Sequence, residues 1–513
     1  MEATKSRILK SSYRPQRPDS VHVRDADPQE RVEISLYLMD DTADDADGST
    51  GQDRLHAKRT VSLDADLAKV NAFAHEHGLV TTLIEPGRLL VKLAGTASAM
   101  EKAFQIKLTY RHHKDGVFRS RSETISVPEE LADRVRAVLG FDTRPAVRPH
   151  FVVPSAVVCG HSVPEIAQLY GFPRDRTGSG QTLAILEFGG GYQTFDMQAA
   201  CAGMGVPVPT IIPVSVCGAS NAPGSASDVE VALDMQVAAG VAPGARLAIY
   251  FAPNTDQGFV DAITAAIHDR QNRPSVMSIS WGAAETVWTE QARDMMEQAF
   301  RDARRVGVTV VVSAGDSLAG GGLANGTVNV DYPAASPSVL GCGGTLIATD
   351  GAAIVAETVW NSNGRGTGGG VSQLYPLPDY QRACSVPVSI ATQAPGRGVP
   401  DVAADADPAS GYRIVVNTLP SVAGGTSAAA PLWASFLCLV NEARAAANPP
   451  KRPVGFVTPQ LYATPGLLRP ITSGNNDSPG TSVGYRAGPG YSCCTGLGVP
   501  DCPALFDALT ALP

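Results

Sequence analysis

Ser427 stands where a stretch of small residues turns into an apolar one, in the run VAGGTSAAAPLWASFLCLV over 422–440. The glycine pair, the Thr-Ser step and the apolar run read as the entrance to a buried helix. Gly424 and Gly425 open backbone angles closed to other residues and let a second chain come close, and Pro431 costs little so near the helix start. A helix N-terminus favours developing negative charge by roughly 0.3–1 kcal/mol, which suits a hydroxyl whose attack creates an oxyanion. The same serine would serve equally as a helix cap, so its partners decide.

A serine nucleophile needs a base, and the histidines of the later, α/β part of the chain, His161 in the linker and His268 late in a helix, are not placed like one. The segment DVEVALDMQVAA instead sets Glu230 and Asp234 at i, i+4 on one face of a mostly apolar helix. If that face is buried, desolvation and mutual repulsion raise the pair's affinity for one proton, giving a general base that works in mild acid; if it is exposed, the pair is simply solvated or ion-paired. A third carboxyl, Asp316 in VSAGDSLAGGG, is either a turn residue or, protonated, a donor to an oxyanion worth on the order of 3 kcal/mol.

These groups need elements to position them. Near-continuous apolar runs at 182–187, 210–216, 247–252, 276–281 and 308–313 alternate with helical segments at 228–239, 258–270 and 290–305, which predicts an α/β fold with a parallel sheet covered on both faces. Functional groups gather at the carboxyl ends of such strands, where Glu187, Trp281 and Asp316 stand. The preceding region reads as a separate α+β domain over 1–150. It opens with a loose arm, 1–30, and continues with a strand at 32–39, a helix at 63–78, strands around Pro86-Gly87, a helix at 98–104, a hairpin over 107–127 and a helix over 128–139. The insertion DDTADDADGSTGQD reads as a mobile loop, and the histidines at 22, 56, 75, 77, 112 and 113 are not spaced as metal ligands. A proline-punctuated linker begins at Gly140, setting a boundary at 151–162 before a domain over 163–513.

With 44% hydrophobic residues among 513, the chain has material for sizeable cores. Its net charge of -9 without a Lys/Arg run argues against nucleic acid and anionic membrane surfaces as partners. No apolar run reaches membrane-spanning length and no signal-type h-region is visible. The nine cysteines, all after residue 150, include no CxxC pair, so neither zinc nor dithiol chemistry is indicated. An esterase or lipase would want G-x-S-x-G and a late histidine, and neither is here.

Together the motifs resemble the sedolisins, the serine-carboxyl peptidases, and most closely their kumamolisin-like branch. E-x-x-x-D appears as Glu230 and Asp234, A-G-D-S as 314–317 and G-T-S-x-x-x-P as 425–431, in the family's order, with EFGGGY, SISWG, GRGVPDVAADADPASGY and CTGLG as flanking phrases. The resemblance implies a subtilisin-like catalytic domain behind an α+β prodomain with an antiparallel sheet. It implies Ser427 as nucleophile, Glu230 as base, Asp234 tuning Glu230, Asp316 as oxyanion donor, and Glu187 and Trp281 extending the acid network. Gly425 and Asp331 are implied to line the substrate cleft, where Asp331 would favour a basic side chain. The expected activity is that of an acid-acting, secreted, monomeric endopeptidase on protein or peptide substrates, inhibited by its own prodomain and cutting itself between 140 and 162. A tripeptidyl exopeptidase with the same catalytic residues, or an inactive binding relative, are the alternatives. Relatives bind one calcium ion near the C-terminus; here Pro470 and Ser492 replace both carboxylates, so the expectation is no metal and no cofactor. A disulfide among Cys493, Cys494 and Cys502 is the expected substitute.

Overall fold

The structure is a computed structural model that describes residues 6–42, 50–121, 123–154, 159–323 and 326–513. Its centre is an eight-stranded sheet. Thr210–Ser215, Arg246–Phe251, Thr182–Glu187, Val276–Ile279, Thr309–Ser313 and Leu340–Thr349 follow one another in parallel, and Val402–Asp405 joins Leu340–Thr349 in parallel. The sheet departs from the all-parallel expectation at one edge, where Ile354–Val359 turns back antiparallel on Leu340–Thr349. The first of these strands in the chain lies inside the sheet. The chain leaves Thr182–Glu187 toward one edge and Val276–Ile279 toward the other, so a crevice opens at the carboxyl ends of these two neighbours. Burial on both faces explains why the strands read as apolar runs; all six side chains of Thr182–Glu187 are inaccessible.

One face is covered by Asp228–Val241 and Thr426–Ala445, both buried along nearly their whole length. The other carries Asp256–Ile267 and Glu290–Val306. On that second face sits the N-terminal domain, whose four-stranded antiparallel sheet runs Val80–Glu85, Leu90–Thr96, Arg31–Leu38, Val135–Leu139. The two domains share one apolar cluster, in which Leu36, Tyr37 and Val138 join Phe259, Ile263 and Met295. Polar hubs pin the same interface: Asp261 accepts from Tyr37 and Ser35 at 2.5 and 2.9 Å and pairs with Lys92 at 2.9 Å, while Arg59 grips both oxygens of Asp302 at 2.7 Å.

Four expectations are corrected. The helix over 128–139 is a single turn, Glu129–Ala132, followed by the strand Val135–Leu139; pairing with Ser35–Leu38 and two hydrogen bonds exchanged with the Gln291 side chain, Val138 N–H donating to Oε1 and Nε2 donating to the Val138 carbonyl, override the helical periodicity. The N-terminal arm is not loose: Val21–Asp25 pairs with Leu108–His113, and buried Arg14 bridges Asp256 at 2.5 Å and Asp142 at 3.8 Å. The acidic insertion lies largely outside the described residues, but its end enters an unforeseen helix, Gln52–Ser62. All nine cysteines are free, so the C-terminal disulfide is not formed; Cys493 is packed in the core and Cys494 Sγ donates to the Tyr485 carbonyl at 3.1 Å.

Candidate active site

The sheet crevice holds the predicted groups together. Ser427 lies in the first turn of Thr426–Ala445, and its Oγ donates to Glu230 Oε1 at 2.5 Å. Gly425 makes this possible: its φ is +111°, and a Cβ there would come within 2.2 Å of the His150 carbonyl oxygen and 2.6 Å of Asp316 Oδ2. Glu230 is placed by the start of Asp228–Val241, which Asp228 anchors by accepting from Gly191 N–H at 3.0 Å and Gly224 N–H at 2.6 Å. One turn on, Asp234 Oδ1 accepts from Ser280 Oγ at 2.8 Å; at the next strand end, Glu187 Oε2 accepts from Trp281 Nε1 at 3.0 Å.

The electrostatics are those of shared protons. Glu230, Asp234 and Glu187 are fully buried, and Glu230 Oε2, Asp234 Oδ2 and Glu187 Oε1 have no hydrogen-bond partner. Burial, reinforced for Glu230 by Asp234 and Glu187, pushes its carboxyl well above the usual range; burial does the same for Asp234, and burial with the Asp234 charge does so for Glu187. Among the described residues no cation forms an ion pair with any of the three, and the carboxyls raise one another's affinity for protons. Across the serine, burial pushes the Asp316 carboxyl up to about 6 against the opposing pull of His150, Thr426 and Arg365. Asp316 Oδ1 accepts from the Thr426 backbone N–H and hydroxyl, both at 2.8 Å, while Oδ2 is unpartnered.

A segment that sequence reasoning left as linker runs through this crevice. Arg148–Pro149 pairs antiparallel with Trp281–Gly282, His150 N–H donates to the Ser280 carbonyl at 3.1 Å, and Val152 exchanges two 2.9 Å hydrogen bonds with Gly424. Between them the His150 carbonyl accepts from Ser427 N–H at 3.0 Å. The His150 ring is buried, its Nδ1 2.8 Å from Ser313 Oγ and its Nε2 3.1 Å from Asp331 Oδ2, and Gly282 leaves it room. Asp331 thus faces the His150 ring beside Gly315. His150, Ser280, Ser313 and Thr426 were not singled out, although Ser280 lies in SISWG, Ser313 in VSAGDSLAGGG and Thr426 in G-T-S. Among the described residues no group of three or more His, Cys, Asp or Glu could hold a metal, and no helix is long and apolar enough to cross a membrane.

Comparison with known proteins bears on the family and the fold. Residues 52–144 match the Pro-kumamolisin activation domain, and residues 215–454 match the Subtilase family. The chain is 40% identical to kumamolisin of Bacillus sp. (strain MN-32), over 99% of this chain and 97% of that protein. It is 29% identical to sedolisin of Pseudomonas sp. (strain 101), over 85% and 78% of the two. The solved structure of Pseudomonas sedolisin, a serine-carboxyl proteinase complexed with pseudo-iodotyrostatin, superposes with a TM-score of 0.60 at 28% identity, covering 69% of this chain and 98% of that one. An activation domain seated on a subtilisin-like sheet, together with identity of this depth to kumamolisin along the whole length, makes the chain a serine peptidase of the sedolisin family.

Proposed function

We propose that this chain is an acid-acting endopeptidase made as a self-processing zymogen, with 1–150 as activation peptide, 151–162 as linker and 163–513 as the catalytic part. The observation that carries the reading is the chain's own backbone in the crevice, with the His150 carbonyl on Ser427 N–H and beside Asp316. Ser427 Oγ attacks that carbon while Glu230 takes the hydroxyl proton. The tetrahedral oxyanion receives hydrogen bonds from Ser427 N–H and from protonated Asp316 Oδ2. Glu230 then gives its proton to the departing Phe151 nitrogen, and water releases the acyl group by the same steps in reverse roles. Asp234, Glu187 and Trp281 keep Glu230 in a state that can both accept and return a proton. The first cut therefore falls at His150–Phe151.

Two further features support endopeptidase action and cleft preference. The bound segment continues on both sides of Ser427, pairing with Trp281–Gly282 before the scissile bond and with Gly424 after it, so the crevice takes a chain with residues beyond it at each end. The Asp331 carboxylate, with both oxygens short of hydrogen bonds, faces the side chain before the cut and favours a basic one there. The calcium site of relatives has no counterpart in the donor set: Pro470 has no side-chain oxygen, and Ser492 Oγ is already engaged with Thr495 Oγ1 at 3.1 Å and Thr495 N–H at 3.2 Å. We therefore read the peptidase as a metal-independent monomer that works outside the cell. The test is acidification of purified full chain, wild type beside Ser427→Ala, with mass spectrometry of the products. Release of a fragment beginning at Phe151 from wild type alone is expected. Cutting of both proteins at equal rate, or a first cut elsewhere, overturns the assignment. Products from a denatured protein of mixed length, rather than uniform tripeptides, separate endopeptidase from tripeptidyl action, and an unchanged melting temperature in excess EGTA checks metal independence.

A further inference from the structure

The groups that hold Asp316 are unevenly placed around its carboxyl. Oδ1 accepts from both the backbone N–H and the hydroxyl of Thr426. Thr426 Oγ1 itself accepts from Gly315 N–H at 3.1 Å, which orients the hydroxyl and leaves its single hydrogen for Oδ1. Oδ2 accepts no hydrogen bond, its nearest cation being Arg365 Nη2 at 3.9 Å, and it faces the space beside Gly425 where the His150 carbonyl lies. A proton on Oδ1 would confront two donor hydrogens within hydrogen-bond distance, whereas a proton on Oδ2 meets none that close and points at the oxyanion position. All of this is buried; Thr426 is fully inaccessible and Asp316 is 1% exposed.

We propose that Thr426 is a positioning residue of the oxyanion site, assigning the Asp316 proton to Oδ2 and aiming it at the carbonyl under attack. The inference rests on the reading of Asp316 as oxyanion donor. Thr426 also opposes burial: hydrogen bonds to Oδ1 favour the ionised form, so this threonine limits how far into neutral pH Asp316 stays protonated. The other charged or titratable groups facing Asp316 are His150, Arg365 at 3.9 Å and, across the serine, Glu230. Of these, the zymogen's His150 leaves with the prodomain once the His150–Phe151 bond is cut.

The test is steady-state cleavage of a peptide by processed Thr426→Val, Thr426→Ser and wild-type enzymes across pH 3–8. Loss of a whole oxyanion donor costs on the order of 100–1000-fold in kcat, so misdirecting one is expected to cost Thr426→Val about 10–100-fold, with KM nearly unchanged. Its alkaline limb moves to higher pH, its affinity for a peptide aldehyde falls by the same factor as kcat/KM, and Thr426→Ser restores all three. Wild-type kcat in Thr426→Val, an unmoved limb, or failure of Thr426→Ser to restore activity overturns the proposal. If Thr426→Val does not fold, infrared spectra of the Ser427→Ala chain at pH 4 carry the test. The band that disappears in Asp316→Asn then lies at the low frequency of a carbonyl accepting two hydrogen bonds, and a band at the frequency of an unbonded carbonyl overturns the proposal. Asp316→Ala separates the two levels: full activity sinks the oxyanion role itself, while a crippled Asp316→Ala beside a fully active Thr426→Val sinks only the positioning role.

Discussion

At the scale of single residues, the site is a contest between burial and hydrogen bonding over who holds protons. Burial pushes the Asp316 carboxyl up to about 6; with the proposed donor role, the rate should fall as pH rises through about 6, where the carboxyl loses the proton it would donate. Asp316→Asn keeps an N–H donor at every pH. Its pH–rate profile should lose the limb near 6 and extend toward neutrality, at a maximal rate at least tenfold below wild type because the amide is the weaker donor. A variant profile that falls at the same pH as wild type would show that another group sets the limb. Asp331→Asn tests the cleft in the same way: with the charge facing the His150 ring removed, kcat/KM for peptides with His, Arg or Lys before the cut should drop about tenfold or more relative to those with Leu, read from competing peptides in one tube.

At the scale of elements, the helix that presents Ser427 depends on one backbone conformation. Gly425 at φ +111° both turns the chain into Thr426–Ala445 and leaves room for the His150 carbonyl and Asp316. Gly425→Ala should introduce about 1–3 kcal/mol of backbone strain and fill the space the substrate carbonyl uses. The expected outcome is a chain that unfolds at lower temperature and neither processes itself nor cuts added peptide, measured by calorimetry and by the products on acidification; normal processing would contradict the geometry. The strand Val135–Leu139 makes the opposite point. Its local pattern is helical, yet it is held as a strand by Ser35–Leu38 on one side and by Gln291 on the other, a residue more than 150 positions away in the chain.

At the scale of the whole molecule, the prodomain interface is built to weaken in acid. His56 of the prodomain lies 3.0 Å from His268 of the catalytic part, which contacts Asp302 at 3.0 Å. Burial first, then the neighbouring His268, lowers His56 from its ordinary 6.5 to about 4. The folded assembly thus binds fewer protons than the unfolded chain between about 4 and 6.5, so stability is complete above that window and declines as pH falls through it. Asp302, held below the usual carboxylate range by Arg59 and His268 despite its burial, loses its contribution only in stronger acid. The melting temperature of full-length Ser427→Ala should fall between pH 6.5 and 4, and fall less in the same chain carrying His56→Gln. Parallel declines in the two proteins would remove His56 from the account.

The sequence by itself determined the family and the residues that could do its chemistry. Three short motifs carried Ser427, the Glu230 and Asp234 pair and Asp316, and apolar runs of strand length carried the central sheet, because these are local patterns set by burial on both faces. Only the tertiary structure decided which peptide bond lies on Ser427. The segment around His150 has no periodicity and no motif, and its place follows from the open edge offered by Trp281–Gly282 and from the room left by Gly282 and Gly425, residues that are distant in the chain. The ordered N-terminal arm has the same cause, since Arg14 is held by Asp142 and Asp256 rather than by its neighbours. Which Asp316 oxygen goes without a hydrogen bond is also a tertiary fact: nothing in A-G-D-S says so, and it is the meeting of that loop with Thr426, 110 residues on, that occupies Oδ1 and leaves Oδ2 without one.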